Sequence, residues 1–366
     1  MKKLTGILIA VLVAISACTK VENEPVPASK IAFTVGNYAH RTKADTVRFS
    51  PISTSFNSRA FLHGSGVSGV QHFFGTGTGE VVGYDSATNS WAPGAISGNE
   101  YFWPFSSSSY INFVCWYDKN GAPSVAADSL DEYQMHWLQR TIVPSDTILF
   151  ADEAWRYNNN FNAQFMREAA AGVPVLFHHA LSQIQFRAKI KANCDQSASG
   201  LTRWGVSIGN VSLTNVYNTG TLNLANSDPE TSSTTRAWTV TGGSWTDLTN
   251  SATLEMLGTP EVALNASTTT DLLALRTILP QPVSASMMLS FTYSISSYRG
   301  SSETPFCVEY LSFNRSLLEL TPTIESWGMG QRIIYTIEID PTNDIILFDP
   351  SLTDWVAGES GGVTLE

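Results

Sequence analysis

The chain has little charge. Asp, Glu, Lys and Arg make up 14% of its 366 residues, and 32 acidic side chains against 21 basic ones give a formal net charge of -11. No run of Lys and Arg follows Lys2-Lys3, which argues against nucleic acid as a partner, because phosphate binding needs clustered cations. HExxH and P-loop sequences are absent, and the GxSxG match Gly358-Glu359-Ser360-Gly361-Gly362 falls in a glycine-rich link and not between a strand and a helix, so the usual hydrolase and nucleotide-binding signatures lack their context. The sequence therefore offers no constellation for an enzyme, and no cofactor or metal is expected. Phe73-Phe74-Gly75-Thr76-Gly77-Thr78-Gly79 lacks the Lys-Ser/Thr and the following helix of a phosphate loop and reads as a hairpin tip.

Cysteine and histidine are equally sparse, at 4 and 6 residues. No CxxC pair exists, which removes zinc-ribbon and redox readings. Beyond Cys18 the remaining thiols, Cys115, Cys194 and Cys307, are odd in number, so at least one stays unpaired in a monomer. Cys115 and Cys307 sit in apolar strand-like runs and are expected to be buried. His178-His179 invites a metal reading, but neighbours on a strand point to opposite faces, which predicts one in the core and one at the surface. His40, His63, His72 and His136 are scattered without ligand spacing.

What the sequence does carry begins at its start. Met1-Lys2-Lys3, an apolar stretch over 4–15 and Ser16-Ala17-Cys18 have the basic, apolar and small-residue order of a secretory signal. The apolar stretch is shorter than the roughly 20 residues of a membrane-spanning helix. Ile15-Ser16-Ala17-Cys18 reads as a lipobox, in which Cys18 is acylated and becomes the first mature residue, anchored to a bilayer. Residues 19–30, with Glu22, Glu24, Pro25 and Pro27, have no core-forming period and read as a tether.

Beyond the tether, short β-rich runs recur between Gly, Asn, Asp and Pro. Ile31-Ala32-Phe33-Thr34-Val35, Tyr110-Ile111-Asn112-Phe113-Val114, Gln183-Ile184-Gln185-Phe186 and Ile333-Ile334-Tyr335-Thr336-Ile337 are examples. Their period is two, which predicts an all-β chain of antiparallel sandwiches. Helices are expected only in 129–138, where Ser129 and Glu132 have capping-box spacing, and in 165–171. Gly172-Val173-Pro174 marks a boundary, dividing the chain into a signal at 1–18, a tether at 19–30, an N-terminal domain at 31–172 and a C-terminal domain at 173–366. The Ser- and Thr-rich stretch 225–235 reads as an exposed loop.

The order of several motifs resembles the fimbrillins, the pilus subunits of Bacteroidales. After the lipobox come the first strand and Arg41-Thr42-Lys43-Ala44, then Trp91, Tyr101-Phe102-Trp103-Pro104, Ile111-Asn112-Phe113 and Tyr117. Asp146-Thr147-Ile148-Leu149-Phe150-Ala151 precedes Val173-Pro174-Val175-Leu176-Phe177-His178-His179-Ala180-Leu181, which resembles the family's apolar run ending in His-Ala-Leu. Trp327-Gly328-Met329-Gly330 and Leu352-Thr353-Asp354-Trp355 close the pattern.

The resemblance implies two tandem antiparallel β-sandwich domains of transthyretin-like, Greek-key type. It also implies a structural and adhesive subunit carried to the outer membrane on lipid and displayed on the cell surface in a fimbrium. Its partners would be other fimbrial subunits, with a glycan or protein receptor on a host or bacterial surface. In shaft members a protease cuts after an arginine beyond the first strand, and a neighbour's C-terminal strand fills the groove. Here Ile31-Ala32-Phe33-Thr34-Val35 would be the strand removed. Arg41, Arg48 and Arg59 are the candidate cleavage points, with Arg41 and Arg48 favoured by their polar surroundings. Val363-Thr364-Leu365 is the candidate donor, while Ile345-Ile346-Leu347-Phe348 reads as completing the second domain. Shaft, anchor and tip roles all fit the sequence.

An alternative reading is a monomeric surface lipoprotein that binds glycans on exposed aromatics. The chain has 10 tryptophans. Trp137, Trp155, Trp238 and Trp245 lie in irregular contexts and are the candidate sugar contacts, although large aromatics usually bury.

Overall fold

The computed structural model describes residues 29–37, 55–64, 71–75, 79–85, 90–121, 123, 134–158, 167–168, 172–194, 202–226, 235–343 and 345–354. Over these residues the chain is all-β, with a single four-residue helix, α1 (Leu317–Leu320). Cys18, Arg41, Arg48, Val363, Thr364 and Leu365 lie outside the described residues.

Strands are numbered in chain order. The first sheet contains β1 (Phe33–Asn37), β2 (Ser55–Gly64), β3 (Gln71–Phe74), β4 (Glu80–Asp85), β5 (Ser90–Pro93), β6 (Ser109–Asp118), β8 (Ile148–Ala151), β9 (Glu153–Asn158), β10 (Arg167–Glu168), β11 (Val173–His179) and β14 (Thr235–Arg236). Seven of these strands close into a ring in the order β2, β4, β5, β1, β11, β8, β6 and back to β2. The closure comes from β2, whose Asn57 and Ser58 pair with β4 on one side and β6 on the other. The first unit is thus a closed, barrel-like sheet where an open sandwich was expected.

Alternation along β6 explains how this ring supports two cores. Ile111, Phe113 and Cys115 belong to one buried cluster with Phe33, Phe56, Trp91 and Phe177, while Val114 and Trp116 belong to another. Successive side chains of a strand point to opposite faces, so a strand buried on both sides is apolar at nearly every position.

The second half holds a four-stranded sheet of β12 (Ser182–Ile190), β18 (Thr270–Ile278), β23 (Gln331–Asp340) and β24 (Ile345–Asp354), in the order β18-β12-β23-β24. A seven-stranded sheet contains β7 (Gln134–Thr141), β13 (Thr202–Ala225), β15 (Thr239–Val240), β16 (Thr246–Leu257), β17 (Val262–Ala263), β20 (Met288–Arg299) and β21 (Cys307–Ser316). β19 (Gln281–Pro282) and β22 (Ser326–Trp327) pair separately. The core of this half includes Phe186 stacked on Tyr335, with centroids 4.7 Å apart. The Trp327 indole N–H donates to the Tyr335 hydroxyl at 2.8 Å, so both polar tips are satisfied within an apolar core.

β13 joins the two halves. It is 24 residues long, and its register shifts at 209–212 and 213–216, where Asn210 and Asn215 adopt positive φ. Val206, Ile208, Val211 and Leu213 enter the second core, whereas Leu222 and Leu224 enter the third cluster beside Phe61, Trp116 and Phe150 of the ring.

Three expectations change. The segment 129–138 was expected to be helical, but 134–138 lies in β7 and pairs with β13. Met135 and Trp137 are both fully buried, and their spacing of two suits a strand. In 165–171, Arg167 and Glu168 pair in parallel with β9 instead of forming a helix. The boundary at Gly172 also moves, because β11 follows that glycine yet sits in the ring between β8 and β1. The main change of sheet falls at 180–181, immediately before β12, while β7 and β14 each join the sheet of the other half.

Candidate functional site

β1 is the stave of the ring between β11 and β5. Ile31, Phe33 and Val35 are 1%, 2% and 6% exposed, while Lys30 and Thr34 face solvent, so this short segment has the period-two pattern of a strand above a core. Phe33 meets Phe56 and Phe113 edge-on at 5.8 and 5.2 Å between ring centroids. Burying side chains of this size contributes about 1.5–3 kcal/mol each.

Its two edges are held unequally. On one side Phe33 to Asn37 pair in parallel with Val173 to Phe177, and the Val173 amide donates to the Ala32 carbonyl at 2.8 Å. On the other side a single pair, Phe33 with Trp91, joins β1 to β5. Just before β1, the Ile31 amide donates to Tyr101 O and the Trp103 amide to Ser29 O. A pocket of about 320 Å³, lined by Ile31, Ala32 and Ala92 among others, lies along this weakly paired side. Gly172 sets the close approach to β11. Its φ is +88°, and a Cβ there would lie 2.7 Å from Thr34 Oγ1 and 3.1 Å from the Phe33 carbonyl carbon.

The residues singled out from the sequence fall in different places. Arg59 lies inside β2, opposite Val114, and is 3% exposed. Burial alone lowers its pKa from the usual arginine value. A backbone locked between two strands is a poor protease substrate, which removes Arg59 from the candidate cleavage points.

Trp137, Trp155, Trp238 and Trp245 are 0%, 3%, 8% and 4% exposed, which corrects the reading of them as surface sugar contacts. Three of them bind the ring to the layer around β13. The Trp238 indole donates to Ala151 O at 2.8 Å, Trp245 to Ala180 O at 2.7 Å and Trp137 to Asp118 Oδ2 at 3.2 Å. Trp155 packs between Tyr110 and the Arg156 guanidinium. None of the four rings is open for stacking.

Asp118 forms the centre of a polar network at the same junction. Arg140 pairs with it at 3.1 Å and with Asp146 at 3.5 Å, and both carboxylates are fully buried. Asn120 donates to Asp146, and so does the Val143 amide. Burial tends to lower the Arg140 pKa, but the two carboxylates outweigh it and raise the value.

His178 and His179 do face opposite ways. His178 Nε2 lies 2.9 Å from Asp152 Oδ1, whereas His179 is buried at 3% exposure. Among the described residues no cluster of three His, Cys, Asp or Glu could hold a metal. Cys115 and Cys194 are buried, and burial pushes the Cys115 thiol up to about 12, against the opposing effect of its hydrogen bond to the Ser58 hydroxyl. Cys307 is exposed, contrary to expectation, because among the described residues β21 pairs with β20 alone.

Ile345-Ile346-Leu347-Phe348 lies in β24 and pairs with β23 over ten residues, with Ile346 and Phe348 packed against the second core. Trp91, Phe177 and Gly172 stood out in the sequence, but nothing local showed that they meet β1. An apolar residue shows where a strand buries but not which distant strand it meets.

Among curated proteins, none matches this sequence. Solved structures with a similar fold include a fimbrial protein from Bacteroides vulgatus at 14% identity, covering 89% of this chain and 99% of that one with a TM-score of 0.47. A candidate cell adhesion protein from Bacteroides uniformis is 16% identical, with 89% and 98% coverage and a TM-score of 0.42. The fimbrial anchor protein Mfa2 from Porphyromonas gingivalis is 9% identical, with 84% and 91% coverage and a TM-score of 0.28. The fimbrillin-like family matches residues 71–355, and with that span covering most of the sequence the chain belongs to the fimbrillin-like family.

Proposed function

We propose that this protein is a structural and adhesive fimbrial subunit, exported as a lipoprotein on Cys18 and assembled by replacing β1 with a strand from a neighbouring subunit. The observation that carries this reading is the seat of β1. Three alternating apolar side chains fill the ring interior, yet one edge of the strand is paired at a single position. Removal of such a stave leaves an unpaired β11 edge over an apolar slot, the template on which β-augmentation operates.

Maturation by cleavage after Arg41 or Arg48 would detach β1 together with the tether and Cys18. Val363 and Leu365 have the period of the side chains they would replace, and they follow β24 in the sequence. The subunit would then comprise two units exchanging at 180–181. Its partners would be fimbrial subunits at the outer membrane and a surface receptor.

Deletion of 355–366 tests the donor assignment, because it spares every pair of β24. The truncated subunit is expected to fold and reach the surface without forming polymer ladders. Normal ladders from it would overturn the assignment.

A further inference from the structure

A second cavity, far from β1 in the strand order, carries an independent assignment. β16 and β18 each have one strand partner among the described residues, β13 and β12 respectively, and a pocket of about 230 Å³ lies between them. Val216, Leu254 and Ile278 give it apolar walls beside Tyr217, and Val143, 44% exposed, stands at its lining. Arg276 is the one cationic side chain in that lining.

Arg276 differs from the other part-buried arginines. Arg140 pairs with Asp118, Arg187 donates to Thr336, Arg203 to Gly300 O and Arg332 to Gln183, and Arg156 lies over the Tyr110 and Trp155 rings. Among the described residues the Arg276 side chain makes no hydrogen bond or ion pair, and burial lowers its pKa from the usual arginine value. A half-buried guanidinium with no protein partner keeps only part of its hydration, and an anion seated beside it would supply a charge-assisted pair.

We propose that this pocket binds a small monocarboxylate with an apolar body, its carboxylate paired with Arg276. A single planar guanidinium matches one carboxylate through two parallel hydrogen bonds, whereas a phosphate dianion would call for further cations that the lining lacks. The body is apolar because Val, Leu and Ile dominate the walls.

Calorimetric titration of the full chain with sodium hexanoate tests the assignment, with hexanol supplying the body alone and acetate the charge alone. Hexanoate is expected to bind at least about tenfold tighter than either, and Arg276→Gln to lose about tenfold, as for one charge-assisted pair. Absence of saturable hexanoate binding, equal binding of hexanol, or undiminished binding by Arg276→Gln would overturn it. Phenylglyoxal labelling of the unmutated protein gives a second readout that does not depend on the variant folding. Hexanoate should protect Arg276 while acetate does not, and equal labelling with and without hexanoate would overturn the assignment.

Discussion

Phe33 of β1 stands edge-on to Phe113 of β6, with ring centroids 5.2 Å apart and ring planes at 80°, so the first strand reaches the centre of the ring. A strand placed there contributes to the stability of the uncut chain. Phe33→Ala should cost that chain about 3–5 kcal/mol, seen as a lower urea midpoint. In protein already trimmed beyond residue 48 the same substitution is absent from the folded unit, so its effect should vanish.

Gly172 gives a second handle on the same strand. Gly172→Ala places a methyl group against Thr34 and the Phe33 carbonyl carbon at a φ of +88°. The expected cost is about 1–3 kcal/mol, from backbone strain and the displaced neighbour. Hydrogen exchange should quicken across residues 31–37 and leave β23 unchanged. Uniform quickening across both halves would show that Gly172 does not act through β1.

Trp245 tests the junction. Its indole caps Ala180 O at 2.7 Å within the third cluster. Trp245→Phe should lose about 0.5–1.5 kcal/mol for the hydrogen bond, and Trp245→Ala about 3–5 kcal/mol for the cavity. Thermal unfolding measures both. Retained stability in Trp245→Ala would instead indicate an indole that is dispensable for packing.

Asp340 should impose an acid limit on the second half. Burial pushes its carboxyl up, but hydrogen bonds from Lys191, Thr342 and Asn343 outweigh that and hold it well below the usual carboxylate range. A carboxylate with a depressed folded-state pKa stabilises the fold above its unfolded value near pH 4 and loses that contribution as pH falls toward the folded value. Asp340→Asn should therefore be less stable than the parent at pH 7, with the gap narrowing below about pH 4 in urea titrations.

The strands were legible in the sequence where burial falls on one face or on alternate residues. Ile31, Phe33 and Val35 carry that period, and so do Ile333, Tyr335 and Ile337, which are all fully buried. Ring closure was not legible, because it depends on β2 pairing with two strands at once. Gly172 looked like a boundary for a local reason, its turn chemistry, whereas β11 is claimed by the chain-distant β1 through parallel pairing. The four irregularly placed tryptophans looked exposed because their neighbours show no period. Trp137, Trp238 and Trp245 are buried where separate sheets meet, and no single segment encodes that contact.

The N-terminus of polymer isolated from the cell surface tests strand replacement most directly. Mass spectrometry of the terminal peptide should find a start at Thr42 or Phe49, immediately after Arg41 or Arg48, with Cys18 and Ile31 to Val35 missing. Polymer whose subunits begin at acylated Cys18 and still contain Phe33 would contradict the account.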